Sequence, residues 1–341
     1  MAIRRKDTVL FEKPPVIAAW AAAGGKKEGE GPLASGFDFL TRDAAFPEEA
    51  CANWEQAESL LQQKAAEACL RKAGISRKEV DLALAGDLQA QCTASNYTMR
   101  AMEIPFAGIY GACSTMAETL ALAASLAAGG AVQQVLAMTS SHFCAAERQF
   151  RTPLDYGAKR TPTAQWTATA AGACLLRAPG RNGVPVLSVT FGRVQDYEVH
   201  DINNMGAAMM PAAASTLLRY FAATGTAPAD FDVIFTGDLG EVGSALLRQQ
   251  MEQEGVPLPN HQDCGCLLYD VSTQNVQAGG SGPGCSAAVL CAHILPRLQA
   301  GEYRRVLFMA TGALMSQTTF LQGESIPGIA HCVELAGEGT V

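Results

Sequence analysis

The sequence contains two copies of one series of segments, and this duplication limits the folds open to it more than any other feature. The first copy has DLALAGDLQ at residues 81–89, and the second has DVIFTGDLG at residues 232–240. Each is a short apolar run typical of a buried strand and ends in Gly-Asp-Leu. Asp87 of the first copy therefore corresponds to Asp238 of the second.

A second pair of segments repeats in the same order. GACSTMAETLALAASLAAGGAVQQVLAMTSS matches GPGCSAAVLCAHILPRLQAGEYRRVLFMATGA: a glycine-containing turn and Cys-Ser begin a helix, another turn ends it, and a strand follows. Cys113 and Cys285 lie 172 residues apart, and Val135 and Val306 lie 171 residues apart. Two matches in one order at one spacing indicate an internal duplication.

The duplication predicts an α/β protein made of two similar halves. We place them at residues 1–180 and 181–341, joined by APGRNGVP at residues 178–185, which has two prolines and two glycines. Strands that alternate with helices predict a mixed sheet with helices on its faces. Long helices are expected at residues 54–73 and 210–224, each followed by a glycine.

Charge and composition exclude several classes of protein. The chain has 341 residues, 48% of them hydrophobic and 17% charged, which is typical of a globular protein. Its net charge of −8 disfavours nucleic acid as a partner and a purely electrostatic attachment to anionic lipid, because both need a basic surface. Net charge does not describe a single cleft, so a basic pocket for a small anion stays open.

The cysteines and the longest uncharged run bear on the compartment. Eleven scattered cysteines without a secretion signal predict reduced thiols and an intracellular location. Residues 119–141 carry no charge and are long enough to cross a bilayer. Gly129-Gly130 and Gln133-Gln134 interrupt this run, so we predict a buried helix followed by a buried strand, and no transmembrane segment.

Cys113 raises the question of catalysis. It stands where a helix begins, and the helix dipole there favours a thiolate. Acyl transfer needs more than a thiolate: a base must activate the thiol, and hydrogen-bond donors must stabilise the oxyanion.

The duplicated halves, the GACS helix start and the small-residue run ATAAGACLLR together resemble the thiolase superfamily. The resemblance implies a thiolase-like fold, a layered αβαβα sandwich with Cys113 at the N-terminus of a buried helix. Catalytic members of that superfamily carry Gly-His motifs in the second half, but the matching turn AGGSGPGCSA contains no histidine. None of the five histidines has such a motif, so we expect a non-catalytic member.

Four further segments, KEGEGPL, AERQFRTPLDYG, PTAQWT and ESIPGIAH, are similar to the stage V sporulation protein AD family of spore-forming bacteria. This resemblance implies a protein that binds dipicolinate (pyridine-2,6-dicarboxylate), alone or with calcium, and has no other cofactor. It also implies a role with the membrane subunits of the stage V sporulation A channel, which moves dipicolinate and calcium in sporulation and spore germination. The location implied is peripheral to the spore inner membrane. The resemblance does not decide between a monomer and a homodimer.

The candidate ligand-binding residues come from the residue types that dipicolinate needs. Two carboxylates need arginine forks or helix N-termini, and the ring needs flat walls. The segment at residues 140–166 combines cations and aromatic residues, although a solvated surface lid is the alternative interpretation. The candidates are Asp87, Cys113, Ser114, His142, Arg148, Arg151, Lys159, Arg160 and Asn204.

Other interpretations of single features stay open. Asp87 and Asp238 could cap turns, and Asn203 or Asn204 could cap the helix that follows them. HQDCGC at residues 261–266 is dense in metal-ligating residue types, but a structural zinc normally takes four ligands and no second cluster is evident, so we expect no metal. The alternative functions are an acyltransferase that uses Cys113 and a scaffold with a vestigial pocket.

Overall fold

Strands and helices alternate along most of the chain in the computed structural model, which describes residues 2–43, 51–150 and 160–337. The strands are β1 (Ala2–Arg5), β2 (Thr8–Phe11), β3 (Val16–Gly24), β4 (Phe39–Leu40), β5 (Leu82–Gly86), β6 (Phe106–Gly108), β7 (Gln134–Ser141), β8 (Trp166–Thr167), β9 (Ala170–Arg177), β10 (Val184–Thr190), β11 (Val233–Thr236), β12 (His261–Asp263), β13 (Gly280–Ser281), β14 (Arg305–Ala313) and β15 (Gly328–Ala336). The helices are α1 (Lys26–Gly29), α2 (Trp54–Ala73), α3 (Thr93–Met102), α4 (Thr115–Ala128), α5 (Phe143–Phe150), α6 (Met205–Thr224), α7 (Gly240–Gln253), α8 (Cys264–Leu268), α9 (Pro283–Val289), α10 (Leu295–Gln299) and α11 (Gln317–Leu321). A π-helical turn, Leu290–Ile294, joins α9 to α10.

The strand order shows the duplication directly. The main sheet runs β12-β11-β14-β15-β10-β3-β9-β7-β5-β6. From β3 outward, β9 is antiparallel, β7 is antiparallel to β9, and β5 and β6 continue in parallel. From β10 outward, β15, β14, β11 and β12 repeat this pattern. Along the chain, the first copy of this strand pattern ends with β9 and the second begins with β10. In the sheet, the two copies adjoin at β3 and β10.

The two half-sheets meet at their central strands. Val184 pairs with Ile17 and Pro185 with Val16, so β10 and β3 join over two residue pairs. A hairpin of β1 and β2 is added to β10. The short strands β8 and β13 form a separate parallel pair, which links the segment after α5 to the turn before α9.

The helices form three layers. In the outer layers, α2 packs on β3 and β9, and α6 packs on β14 and β15. Between the half-sheets, α9 packs on β7 and β9 of the first half, and α4 packs on β7 of the first half and on β14 and β15 of the second. The predicted thiolase-like αβαβα sandwich is therefore confirmed, with its central helices buried between two sheets.

Helix α2 has the predicted bounds. The side chain of Asn53 accepts a hydrogen bond from the backbone N–H of Gln56, and Gly74 ends the helix in the left-handed conformation with φ of 68°. Helix α6 ends at Thr224 as predicted, but it begins five residues earlier than expected, at Met205. Asn204 caps it, and Pro211, a residue typical of a first turn, lies inside the helix.

The long uncharged run divides as predicted. Helix α4 ends at Ala128, β7 begins at Gln134, and both are largely buried. Among the residues that the structure describes, no helix combines the length and apolar character needed to cross a bilayer. The segment expected to be a loop after β7 instead contains helix α5.

Candidate functional site

A cavity of about 80 Å³ lies at the junction of the two halves. Its walls come from segments far apart in the sequence: Leu88, Tyr110, Ala112, Cys113, Gln165, Thr167, Ile202, Asn203, Met205, Met209, Ser281, Ala313 and Met315. We call it the junction cavity.

The Cys113 thiol lies on the wall of the junction cavity, in a turn of unusual shape. A short 3₁₀ turn, Ala112–Ser114, precedes α4. Ala112 takes a φ of 51°, a left-handed conformation that costs a non-glycine residue free energy. Gly312 of β14 packs against this turn so closely that a Cβ atom there would lie 2.4 Å from the carbonyl oxygen of Gly111. The turn therefore depends on β14 of the opposite half.

The polar groups nearest to Cys113 are a hydroxyl and a carboxyl group. Its sulfur lies 3.9 Å from Oγ of Ser281, and Ser281 donates a 3.0 Å hydrogen bond to Oδ2 of Asp238. Asp238 also accepts from the backbone N–H of Gly282 at 2.9 Å and from the hydroxyl of Thr311 at 3.0 Å. Burial raises the pKa of Asp238 to about 6 despite these donors.

Cys113 is a neutral thiol in this setting. Burial raises its pKa well above the ordinary value, and the carboxyl group of Asp238 raises it further. A helix N-terminus contributes about 0.3–1 kcal/mol to a nearby anion, which is less than the cost of burying an unpaired thiolate. The prediction that the helix start favours a thiolate at Cys113 is therefore wrong.

Two other polar side chains of the wall, Gln165 and Thr167, are fixed by hydrogen bonds to residues outside the wall. The amide of Gln165 donates to the backbone carbonyls of Asp238 at 2.7 Å and Gly280 at 2.9 Å. Thr167 donates a 3.0 Å hydrogen bond to Oε1 of Glu147, which also pairs with Arg160 at 3.3 Å. Arg160 donates a second hydrogen bond, to the carbonyl oxygen of Gln165. Arg160, a predicted ligand residue, thus lies behind the wall rather than in it.

Apolar side chains form much of the remaining surface of the cavity. The start of α6 contributes Met205 and Met209 to the wall, and the segment before it contributes Ile202. Tyr110 lies at the mouth with 58% of its surface exposed. Two methionines of this segment, Met205 and Met209, therefore line the cavity.

Arg148 lies outside the junction cavity but borders its mouth. It lines an adjoining surface depression together with Tyr110, Ala112 and Met315, which the two concave regions share. Its guanidinium forms an ion pair with Glu55 and stays 44% exposed. A cation is therefore available at the entrance.

The remaining predicted residues lie away from the cavity wall. Asp87 is buried and accepts hydrogen bonds from Ser95 N at 2.8 Å, Ser95 Oγ at 2.7 Å and Gln89 N at 2.9 Å. Burial and the charge of Asp87 raise the pKa of its neighbour Glu58. Asp87 therefore belongs to a buried polar network of the first half, unlike its counterpart in the second.

Three other predicted residues have local structural partners. Ser114 donates a 2.6 Å hydrogen bond to the carbonyl of Gly111. His142 is buried, with its ring centroid 5.5 Å from that of Trp54. Asn204 caps α6, and its neighbour Asn203 lines the cavity instead. Arg151 and Lys159 lie outside the described residues.

The histidines, all five of which the structure describes, are absent from the cavity wall. Burial lowers the pKa of His261, His293 and His331 to about 4 each, so these rings are neutral near pH 7. His331 has a carboxyl group nearby: its Nε2 lies 3.9 Å from Oε2 of Glu118. In HQDCGC, Asp263 caps helix α8 by accepting a hydrogen bond from the backbone N–H of Cys266.

The fold and the cavity between the halves place the chain in the thiolase-like class. Among solved structures, 3-oxoacyl-[acyl-carrier-protein] synthase III from Aquifex aeolicus superposes with a TM-score of 0.58 at 12% identity, over 94% of this chain and 99% of that one. A variant of OleA from Xanthomonas campestris gives 0.60 at 11% identity, over 96% and 99%. AbyA1, a tetronic acid condensing enzyme, gives 0.60 at 19% identity, over 94% and 100%.

Sequence comparison identifies the family within this class. The family model of stage V sporulation protein AD matches residues 5–336. Stage V sporulation protein AD of Bacillus subtilis (strain 168) is 42% identical over 337 residues, which cover 98% of this chain and 97% of that protein. The chain therefore belongs to the stage V sporulation protein AD family, as its sequence segments indicated.

Proposed function

We propose that the protein binds dipicolinate in the junction cavity and catalyses no reaction there. In sporulation and germination it would act as the dipicolinate-binding subunit of the stage V sporulation A channel, at the spore inner membrane and together with that channel's membrane subunits. The observation that carries this proposal is the environment of Cys113: a neutral thiol beside Ser281 and Asp238, with no histidine on the cavity wall among the described residues.

The thiol lacks the means of acyl transfer. A nucleophilic cysteine needs a base within hydrogen-bond reach. The nearest acid–base group is Asp238, and it already accepts hydrogen bonds from Ser281, Gly282 and Thr311. Its charge raises the pKa of Cys113 and so disfavours the thiolate that the reaction would need.

The cavity suits a small planar ligand with polar edges. Apolar side chains such as Ile202 and Met209 provide surface for the ring, and the amide of Asn203 provides a donor for a carboxylate. The hydroxyls of Thr167 and Ser281 become donors to the ligand when they turn away from Glu147 and Asp238. The wall contains no lysine or arginine among the described residues. Charge on the ligand is met by these donors, by Arg148 at the mouth, or by calcium that the ligand carries.

Calorimetric titration with dipicolinate, with and without calcium, tests the proposal. We expect saturable binding at one site per chain, weakened at least about tenfold by Ser281→Leu, which fills the cavity. Ser272→Leu is the control, the same substitution at an exposed position outside the cavity wall. The absence of heat at millimolar ligand would refute binding, and acylation of Cys113 by an acyl-CoA with release of a condensed product would favour an enzyme.

A further inference from the structure

The hairpin of β1 and β2 carries a basic patch on an acidic protein. Arg4, Arg5 and Lys6 are exposed and form no ion pair with any described residue. Among the described residues, strand β1 pairs only with β2, and none of them pairs with its other edge. Charged side chains on an edge strand also discourage aggregation, and this role alone would account for one or two of them.

Two more arginines extend the patch beyond the hairpin. Asp7 in the hairpin turn binds Arg193 at 2.9 Å and Arg219 of α6 at 2.6 Å. Asp7 is thus shared between two cations, and these interactions lower its pKa, so it stays ionised. The patch, defined as Arg4, Arg5, Lys6, Arg193 and Arg219 with Asp7, has five cations and one carboxylate, whereas the chain as a whole has a net charge of −8.

Exposed apolar side chains are neighbours of these cations in the chain. Ile3, between Ala2 and Arg4 on β1, is 41% exposed, and Val194, next to Arg193, is 55% exposed. Basic residues mixed with exposed apolar ones are typical of surfaces that contact the headgroup region of a bilayer. A nucleic acid backbone would use the cations but would gain nothing from Ile3 and Val194.

We infer that this basic patch contacts an anionic phospholipid bilayer directly. The contact is separate from the proposed contacts with membrane subunits and rests on the proposed function only for its location at a membrane. Each basic residue near such a surface contributes about 1 kcal/mol, so the patch supports reversible attachment in spite of the net negative charge of the chain. Net charge alone did not indicate this surface.

Co-sedimentation of the full chain with vesicles tests the inference. Phosphatidylcholine vesicles with phosphatidylglycerol should bind the protein, and pure phosphatidylcholine vesicles should not. The triple variant Arg4→Gln, Arg5→Gln, Lys6→Gln should bind roughly tenfold to a hundredfold more weakly. Binding should fall as salt rises from about 0.1 M to about 0.5 M, because salt screens exposed charges.

A matched triple variant separates patch geometry from total charge. This variant combines Lys78→Gln, Arg181→Gln and Arg304→Gln, which remove the same charge from exposed positions outside the patch. Its vesicle binding should stay within about twofold of that of the parent chain. Equal losses in both triple variants, no binding to anionic vesicles, or binding to duplex DNA but not to vesicles would each overturn the inference. Dipicolinate titration of the same samples distinguishes this failure from failure of the proposed function.

Discussion

Among single residues, Asp238 sets the charge directly behind the cavity wall, where it accepts a hydrogen bond from the wall residue Ser281. Its carboxyl group accepts hydrogen bonds from Ser281, Gly282 and Thr311, yet burial still raises its pKa to about 6. The group is therefore mostly protonated below pH 6 and mostly ionised above it. A dicarboxylate ligand without calcium meets less repulsion in the protonated state.

We predict that calcium-free dipicolinate binds more tightly as the pH falls from 8 to 5.5. Affinity should decrease by up to about tenfold per pH unit above pH 6, because binding then requires uptake of a proton by Asp238. Asp238→Asn should bind with little pH dependence and more tightly than the parent chain at pH 8. Calorimetry at several pH values measures this, with the exposed Glu67→Gln as the control for loss of one negative charge. Equal pH profiles for Asp238→Asn and the parent would contradict the assignment.

We also predict slow alkylation of Cys113 in the folded protein. Its raised pKa leaves little thiolate near pH 7.5, so iodoacetamide should modify it at least about tenfold more slowly than a free thiol. Mass spectrometry of the Cys113 peptide over time provides the rate. The same peptide in urea-unfolded protein serves as the control and should react at the ordinary rate. Alkylation of folded Cys113 faster than of the unfolded chain would indicate an activated nucleophile.

The sequence could predict Cys113 as a site residue but not the residues around it. The duplication pointed to Asp238 through Asp87, yet it could not show that Asp238 accepts a hydrogen bond from the cavity wall whereas Asp87 bonds to Ser95 and Gln89. Ser281 lies in AGGSGPGCSA and Gln165 in PTAQWT, but neither segment indicates a place on the wall beside Cys113, which arises from the pairing of β8 with β13 across the halves. Tertiary contacts of this kind leave no periodic signal in the chain.

Among the structural elements, the short strand β8 holds one wall of the cavity. The cavity wall includes Thr167 of β8 and, just before this strand, Gln165. Thr167 donates a hydrogen bond to Glu147 of α5, and Arg160 donates one to the carbonyl oxygen of Gln165. Arg160 also pairs with Glu147. The side chain of Glu147 is 1% exposed, so its ion pair with Arg160 is buried on the carboxylate side. Arg160 is a positioning residue in this account.

We predict that Arg160→Met destabilises the protein by about 3–5 kcal/mol, because it leaves the charge of Glu147 buried with one cation fewer. The double variant Arg160→Met, Glu147→Gln should recover part of this loss. Urea unfolding followed by circular dichroism measures both. Arg148→Ala is the contrasting variant: its ion pair with Glu55 is solvent-exposed and should cost less than about 1 kcal/mol. Similar costs for the two arginines would contradict the positioning role.

Strand β14 is predicted to control the Cys113 turn through Gly312. In Gly312→Ala the new Cβ would lie 2.4 Å from the Gly111 carbonyl oxygen and 3.0 Å from the backbone nitrogen of Ser114. We expect a loss of stability of about 1–3 kcal/mol, because backbone atoms must move. Gly129→Ala, at the end of α4 with φ of −77° and a nearest contact of 3.2 Å, should change stability by less than about 1 kcal/mol. Thermal unfolding of both variants measures the difference, and a neutral Gly312→Ala would contradict the close packing.

In the whole molecule, the central helices bind the halves together. Helices α4 and α9 lie between the two half-sheets, and β3 pairs with β10. Neither half can bury its inner face alone. The duplication is therefore one of fold rather than of independent stability.

We predict that the two halves unfold in one transition. Trp20, Trp54 and Trp166 all belong to the first half, so tryptophan fluorescence reports on that half, whereas circular dichroism reports on both. Urea transitions followed by the two signals should coincide, because loss of one half exposes the apolar faces of α4 and α9. Two separated transitions would show that the halves are independently stable.

The fold could be predicted from the sequence further than the site could. The paired segments at 81–89 and 232–240 indicated two similar α/β halves, since each copy carries the same pattern, whereas the strand order comes from the structure alone. The start of α6 was misplaced because a proline inside the helix resembles a helix start. The cavity lies where distant segments of the two copies meet, and no segment alone encodes that junction.

A crystal structure of the protein with dipicolinate tests the central claim most directly. We predict one ligand in the junction cavity, with its ring against Ile202 and Met209, a carboxylate at Ser281 or Thr167, and no bond to the Cys113 sulfur. Ligand at another site, or an acyl adduct on Cys113 in crystals grown with an acyl-CoA, would contradict it.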